Sequence, residues 1–103
     1  GVQTGILSNM PPELVADTRL TGWISEFDPL FFSAEIRAIK PYAPIYEHVI
    51  SAIPCKPEEA LFIDDRSDNI KGAHRAGLRT IHHTSEETTR SQIKSNFALL
   101  QPA

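Results

Sequence analysis

The chain has 103 residues, enough for one domain, with 41% hydrophobic residues, 22% charged residues and a formal charge of −3. That balance gives no basis for attracting nucleic acid or acidic lipid, and no stretch approaches the length of a membrane span. Cys55 is the only cysteine, so an internal disulfide is excluded and a reducing, cytoplasmic setting is expected.

The chain opens at Gly1, without Met, and runs straight into a strand-like segment, so it reads as beginning in mid-domain. "VQTGILSN" (2–9) has an apolar centre and stops at Ser8 and Asn9, the pattern of a short buried strand ending in a polar turn. "MPPELVADTRLTGWISEF" follows. Pro11 and Pro12 suit a helix start, Leu14, Val15 and Leu20 offer a buried face, and Thr18 and Gly22 keep the helix short. "FDPLFFSAEI" (27–36) predicts a second strand near residues 30–32. A helix is predicted from Pro44, with Ile45, Val49 and Ile53 at i, i+4 and i+8 on one face.

"CKPEEALFIDD" then gives a turn and a third strand through Leu61, Phe62 and Ile63. Residues 67–76 predict a helix closed by Gly77, which suits a left-handed cap. "LRTIHH" (78–83) is a fourth short strand, and Ile93, Phe97 and Leu100 sit at helical spacing in a last helix beginning near 85–87. Strands and helices alternate with short connections and no repeat. The fold class is therefore a layered α/β, Rossmann-like domain over 1–103 with a mainly parallel sheet.

In such sheets the chemistry lies beyond the carboxyl ends of the strands. Ser8, Asn9, Asp64 and Asp65 all fall at such ends and are expected to form one site. Two adjacent carboxylates repel each other if both are ionised and partly buried. With Asn69 one helical turn on, they provide hard oxygen ligands suited to Mg²⁺. The plainer alternative has one Asp capping the next helix and the other facing solvent.

Ser8 and Asn9 offer a hydroxyl and backbone N–H groups to an anion at a strand-to-helix junction, or an ordinary turn. Lys40, before Pro41 and a helix, can neutralise a phosphate as a point charge, or is simply solvated. His48 and His74 are expected on helix surfaces, while His82 and His83 end the fourth strand and could rim the site. Trp23, Tyr42 and Tyr46 are expected to pack or to stand half exposed; nothing marks a base-stacking platform.

In this order the residues resemble the haloacid dehalogenase superfamily of hydrolases. "ILSN" (6–9) is similar to its second motif, "KP" (40–41) to its third and "LFIDDRSDN" (61–69) to its fourth. Each match is short, but their order and spacing cover nearly the whole chain. The flanking "IKPYAPIYEHVI" and "IKGAHRAG" look most like the subgroup of sugar-phosphate phosphatases and the phosphatase domain of soluble epoxide hydrolases.

The resemblance implies a three-layer core in which Ser8, helped by the backbone near Asn9, binds the phosphoryl group and Lys40 contacts it. It further implies that Asp65 ligates Mg²⁺, with Asp64 and Asn69 in support. It also implies an Asp-x-Asp motif on a preceding strand, carrying the nucleophile that becomes an aspartyl phosphate. This sequence contains no Asp-x-Asp. It is therefore expected to be the C-terminal part of such a core, lacking that central strand and the cap domain, and to be inactive alone.

The gap left by a central strand is expected to close by direct pairing, by exchange with a second copy, or by the missing N-terminal segment held non-covalently. The expected substrate is a small phosphorylated metabolite. A haloacid dehalogenase is the lesser alternative, since halide displacement needs no metal. A non-catalytic α/β interaction module with a relic site is the competing class. A receiver-like domain would want an acidic residue where the second strand ends in Phe-Phe-Ser.

Overall fold

The computed structural model describes residues 3–100, with side chains through residue 96. Two compact units divide the chain, Gly1–Ile53 and Pro54–Ala103, and each is described by itself.

In the first unit, strand β1 (Ile6–Ser8) leads to helix α1 (Pro12–Leu20), a 3₁₀ turn (Gly22–Glu26), strand β2 (Leu30–Phe32), the single-turn helix α2 (Ser33–Ile36) and helix α3 (Ala43–Ala52). β1 and β2 pair in parallel, with Ile6 opposite Leu30 and Ser8 opposite Phe32. The entry to the ladder is tied by the Asp28 N–H to Thr4 C=O and the Ile6 N–H to Pro29 C=O, both at 3.0 Å. The Asp28–Pro29 and Lys40–Pro41 peptide bonds are cis.

Phe32, Ile45 and Tyr46 are fully buried, joined in the core by Val15, Ile24, Phe31 and Val49. Residues of this size each contribute about 1.5–3 kcal/mol by leaving water. The inner face of α1 differs from the expected one. Val15 is buried, but Leu14 and Leu20 are exposed. At 100° per residue Leu14 stands about a quarter-turn from Val15, and Leu20 faces nearly away from it. Arg19, one turn after Val15, is exposed but lies over the same face. Its guanidinium lies 4.8 Å from the Phe32 ring centroid and pairs with Glu35.

In α3, Ile45 and Val49 are buried as expected, together with Tyr46, whereas Ile53 lies past the helix as its C-terminal cap. His48 is on the exposed side, edge-on to Phe31. Trp23 and Tyr42 are exposed.

In the second unit a 3₁₀ turn (Pro57–Glu59) precedes strand β3 (Leu61–Asp64), helix α4 (Ser67–Ala76), strand β4 (Arg79–His82) and helix α5 (Glu86–Leu100). β3 and β4 are parallel, and Asp64 stands opposite His82. Gly77 ends α4 at φ 105°, with the Leu78 N–H returning to Ala73 C=O at 3.2 Å. Asn69, Gly72 and Ala73 form the buried face of α4, against Leu78, Ile81 and Thr89 of the same core. The predicted contribution of Phe97 and Leu100 concerns side chains outside the described residues. Among the described residues no helix is long and apolar enough to cross a membrane.

The close approach of Gly5 to β2 makes a stability prediction. A Cβ there would stand 2.5 Å from Pro29 C=O and 3.0 Å from its Cδ, while a Cβ at Gly22 meets nothing within 4 Å. Gly5→Ala should lower unfolding stability by about 1–3 kcal/mol in urea titration. Gly22→Ala should change it by no more than about 0.5 kcal/mol.

Candidate active site

In the first unit the site is built at the carboxyl end of β1. The strand stops after Ser8, because Asn9 turns its side chain to a segment 31 residues away. The Asn9 Nδ2 donates to Lys40 C=O at 3.1 Å, and its Oδ1 accepts the Lys40 N–H at 2.9 Å. The Lys40 Nζ donates to Leu7 C=O at 3.2 Å. Ser8, Asn9 and Lys40 are thus brought together within one unit.

Backbone donors for an anion are few here. Pro11 and Pro12 have none, and the Met10 N–H is taken by Ser33 Oγ at 2.8 Å. That leaves the Asn9 N–H, which makes no backbone hydrogen bond among the described residues, as the donor of this turn. Ser33, which also donates from Oγ to Met10 C=O at 3.1 Å, is a buried supporting residue that sequence reading missed. Its signal was positional: it follows β2 at the end where Ser8 pairs with Phe32.

In the second unit the two carboxylates at the end of β3 have different surroundings. Asp64 faces inward along the turn into α4. Its Oδ1 accepts the Arg66 N–H at 2.9 Å, and its Oδ2 accepts from Asn69 Nδ2 at 3.2 Å. Its backbone carbonyl accepts the His83 N–H at 2.8 Å. Asn69 is 4% exposed, so its amide is held rigidly behind Asp64.

Asp65 is exposed, and among the described residues no hydrogen bond reaches its carboxylate. Its backbone carbonyl accepts from His82 Nε2 at 2.8 Å. His82 therefore does stand beside the carboxylate pair, and His83 braces α5 through Thr89 Oγ1 at 2.6 Å. The register that sets His82 opposite Asp64 makes this legible only once the parallel pairing is known.

This donor set fits Mg²⁺. One carboxylate is fixed by protein donors, and the next is presented to solvent on a backbone anchored by His82. Mg²⁺ takes one or two carboxylates and keeps several waters. No group of three or more His, Cys, Asp and Glu side chains gathers among the described residues.

Arg66 and Asp68 flank the pair. Arg66 Nε and Nη2 each lie 3.3 Å from an Asp68 carboxylate oxygen. The hydrogen bond from Arg66 holds the Asp68 carboxyl below its ordinary value, and Asp68 raises the Arg66 guanidinium in turn. Asp68 also sits in the first turn of α4, where negative charge is favoured.

A model of the haloacid dehalogenase-like hydrolases matches residues 1–77. The bifunctional epoxide hydrolase 2 of Rattus norvegicus is 40% identical over 55 residues, covering 53% of this chain and 10% of that protein. A sesquiterpene phosphatase of Aspergillus oryzae is 32% identical over 68 residues, covering 66% of this chain and 35% of the relative. A glyceraldehyde 3-phosphate phosphatase of Methanopyrus kandleri is 39% identical over 56 residues, covering 53% and 24%. The chain thus spans about a third or less of the length of these curated relatives. A solved structure from Corynebacterium glutamicum, of an uncharacterized protein, superposes with a TM-score of 0.79 at 26% identity, over 100% of this chain and 75% of the other.

The Arg66–Asp68 pair gives a pH dependence. The folded state lowers the Asp68 pKa, so its contribution is present above the unfolded value of about 4 and is lost as pH falls through the lowered one. Wild type should exceed Asp68→Asn in stability at neutral pH by a small margin. That margin should shrink as pH falls below the ordinary Asp range in a series of thermal unfolding curves.

Proposed function

This chain belongs to the haloacid dehalogenase-like hydrolases, and we propose that it carries the phosphoryl- and metal-binding residues of a Mg²⁺-dependent phosphatase. The observation that carries this reading is the Lys40 ammonium, tied to Leu7 C=O immediately before Ser8 at the end of a parallel strand. A cation tied to the carbonyl that precedes Ser8, at a strand's carboxyl end, suits a phosphoryl group, whose negative charge the ammonium offsets. Relatives named as phosphatases support the same reaction class. The proposed substrate is a small phosphorylated metabolite such as a sugar phosphate.

In this reading the Ser8 hydroxyl and the Asn9 N–H donate to phosphoryl oxygens, and Lys40 lies against the same group. Asp65 holds the metal, with Asp64 and Asn69 fixing the turn that presents it. Mg²⁺ held there would supply positive charge that offsets the repulsion between the carboxylates. The nucleophile, which the resemblance places on an Asp-x-Asp motif, comes from sequence outside these 103 residues, since none is present in them. Covalent catalysis by that Asp would divide the hydrolysis into two displacements. The 103 residues by themselves are proposed to bind and not to turn over.

Calorimetric titration with Mg²⁺, with and without inorganic phosphate, tests the reading. Phosphate should tighten Mg²⁺ binding about fivefold or more, and Asp65→Asn should abolish that coupling. A mass-verified 103-residue chain should release no phosphate from sugar phosphates. Independence of the two ligands would favour a non-catalytic α/β module, and metal-dependent phosphate release would refute the inactivity of the chain alone.

A further inference from the structure

We propose that Asn9 serves the phosphoryl site through Lys40, as a positioning residue, with its side chain not touching the phosphoryl group. The inference rests on the reading of Ser8 and Lys40 given above. Lys40 lies in the irregular connection between α2 and α3, where no ladder or helix fixes its peptide. The tie comes from Asn9. Its Nδ2 and Oδ1 address the C=O and the N–H of the same residue, at 3.1 and 2.9 Å, closing a two-point ring.

A planar amide can make that ring in one orientation only, so it fixes the orientation of the Lys40 peptide as well as its position. The third tie, from Lys40 Nζ to Leu7 C=O, then sets the direction of the side chain. Among the described residues three hydrogen bonds join residues 7–9 to Lys40, and two of them belong to the Asn9 amide. With both polar atoms turned to Lys40, the Asn9 side chain acts on a bound anion by holding the lysine. Its backbone N–H remains the group of Asn9 that addresses the anion.

Two readouts on the 103-residue chain test this. The first is amide hydrogen exchange at Lys40, whose N–H is accepted by Asn9 Oδ1. Asn9→Leu, close in size but without polar atoms, should speed exchange at Lys40 while core amides such as those of β2 stay protected. Asn9→Asp keeps the acceptor but sets an oxygen against Lys40 C=O where the donor was, so it too should speed Lys40 exchange, which maintains the test if Asn9→Leu does not fold. Unchanged Lys40 exchange in a folded Asn9→Leu chain overturns the inference. So does unchanged Lys40 exchange in a folded Asn9→Asp chain.

The second readout is inorganic phosphate affinity in wild type, Asn9→Leu, Lys40→Met and the double variant. Asn9→Leu should weaken phosphate about fivefold to tenfold. The double variant should bind no more weakly than Lys40→Met alone, since Asn9 then has no lysine to position. Additive losses would mean that the Asn9 side chain contacts the anion itself, overturning the inference while the phosphoryl reading stands. No phosphate binding by wild type, with Lys40 exchange still dependent on Asn9, would overturn the phosphoryl reading and Asn9's part in it.

Discussion

Two carboxylates in succession at the end of a half-buried strand are a liability that the fold has to resolve, and its resolution defines the site. Asp64 is satisfied from within: the Arg66 N–H, the Asn69 amide and the rigid start of α4 surround it with donors. Asp65, one residue past the end of the strand, keeps an exposed carboxylate. The repulsion between them is reduced because only one of the pair is held inside. The same division leaves one carboxylate facing solvent on a backbone fixed at its carbonyl by His82.

A similar logic operates at the end of β1. A parallel ladder ends its strands with polar groups directed the same way, and here Ser8 and Asn9 stand at that end. Lys40 belongs to no strand, so its placement depends on side-chain hydrogen bonds rather than on the ladder. The Asn9 amide takes that part, and Ser33 does the corresponding work for the Met10 peptide. In both units rigid elements carry the residues, and short polar side chains set their final orientation. This is the condition for electrostatic stabilisation that requires no rearrangement when charge develops.

Much of this was legible from local pattern. Residues 67–76 form a helix closed by Gly77, as the spacing and the glycine predicted, and both ladders are parallel, as alternation of strand and helix required. What failed or was missed has identifiable causes. Leu14 and Leu20 were counted as core because they are apolar, yet the phase of α1 is set by Val15, with Arg19 covering Phe32. The second strand falls at Leu30–Phe32 as expected, but the helical turn Ser33–Ile36 that follows it was not foreseen. The 3₁₀ turns at Gly22–Glu26 and Pro57–Glu59 carry no periodic signal of their own.

The motif residues could be named from sequence because their types and order are local facts. Their partners could not. The Asn9 amide meets Lys40 across 31 residues, and His82 meets the Asp65 carbonyl across 17. Both contacts depend on strand pairing and loop path, which single-sequence pattern does not contain. The sequence suggested a role for the backbone near Asn9, but it held no sign that the Asn9 side chain is turned to the lysine.

The division of labour between Asp64 and Asp65 is the claim on which the account rests. Adding substoichiometric Mn²⁺ and following paramagnetic broadening of assigned backbone amides would test it most directly. The account predicts broadening centred on the amides around Asp65, abolished by Asp65→Asn. Broadening centred instead on another acidic surface, such as Glu86 and Glu87 at the start of α5, or unchanged in Asp65→Asn, would contradict it.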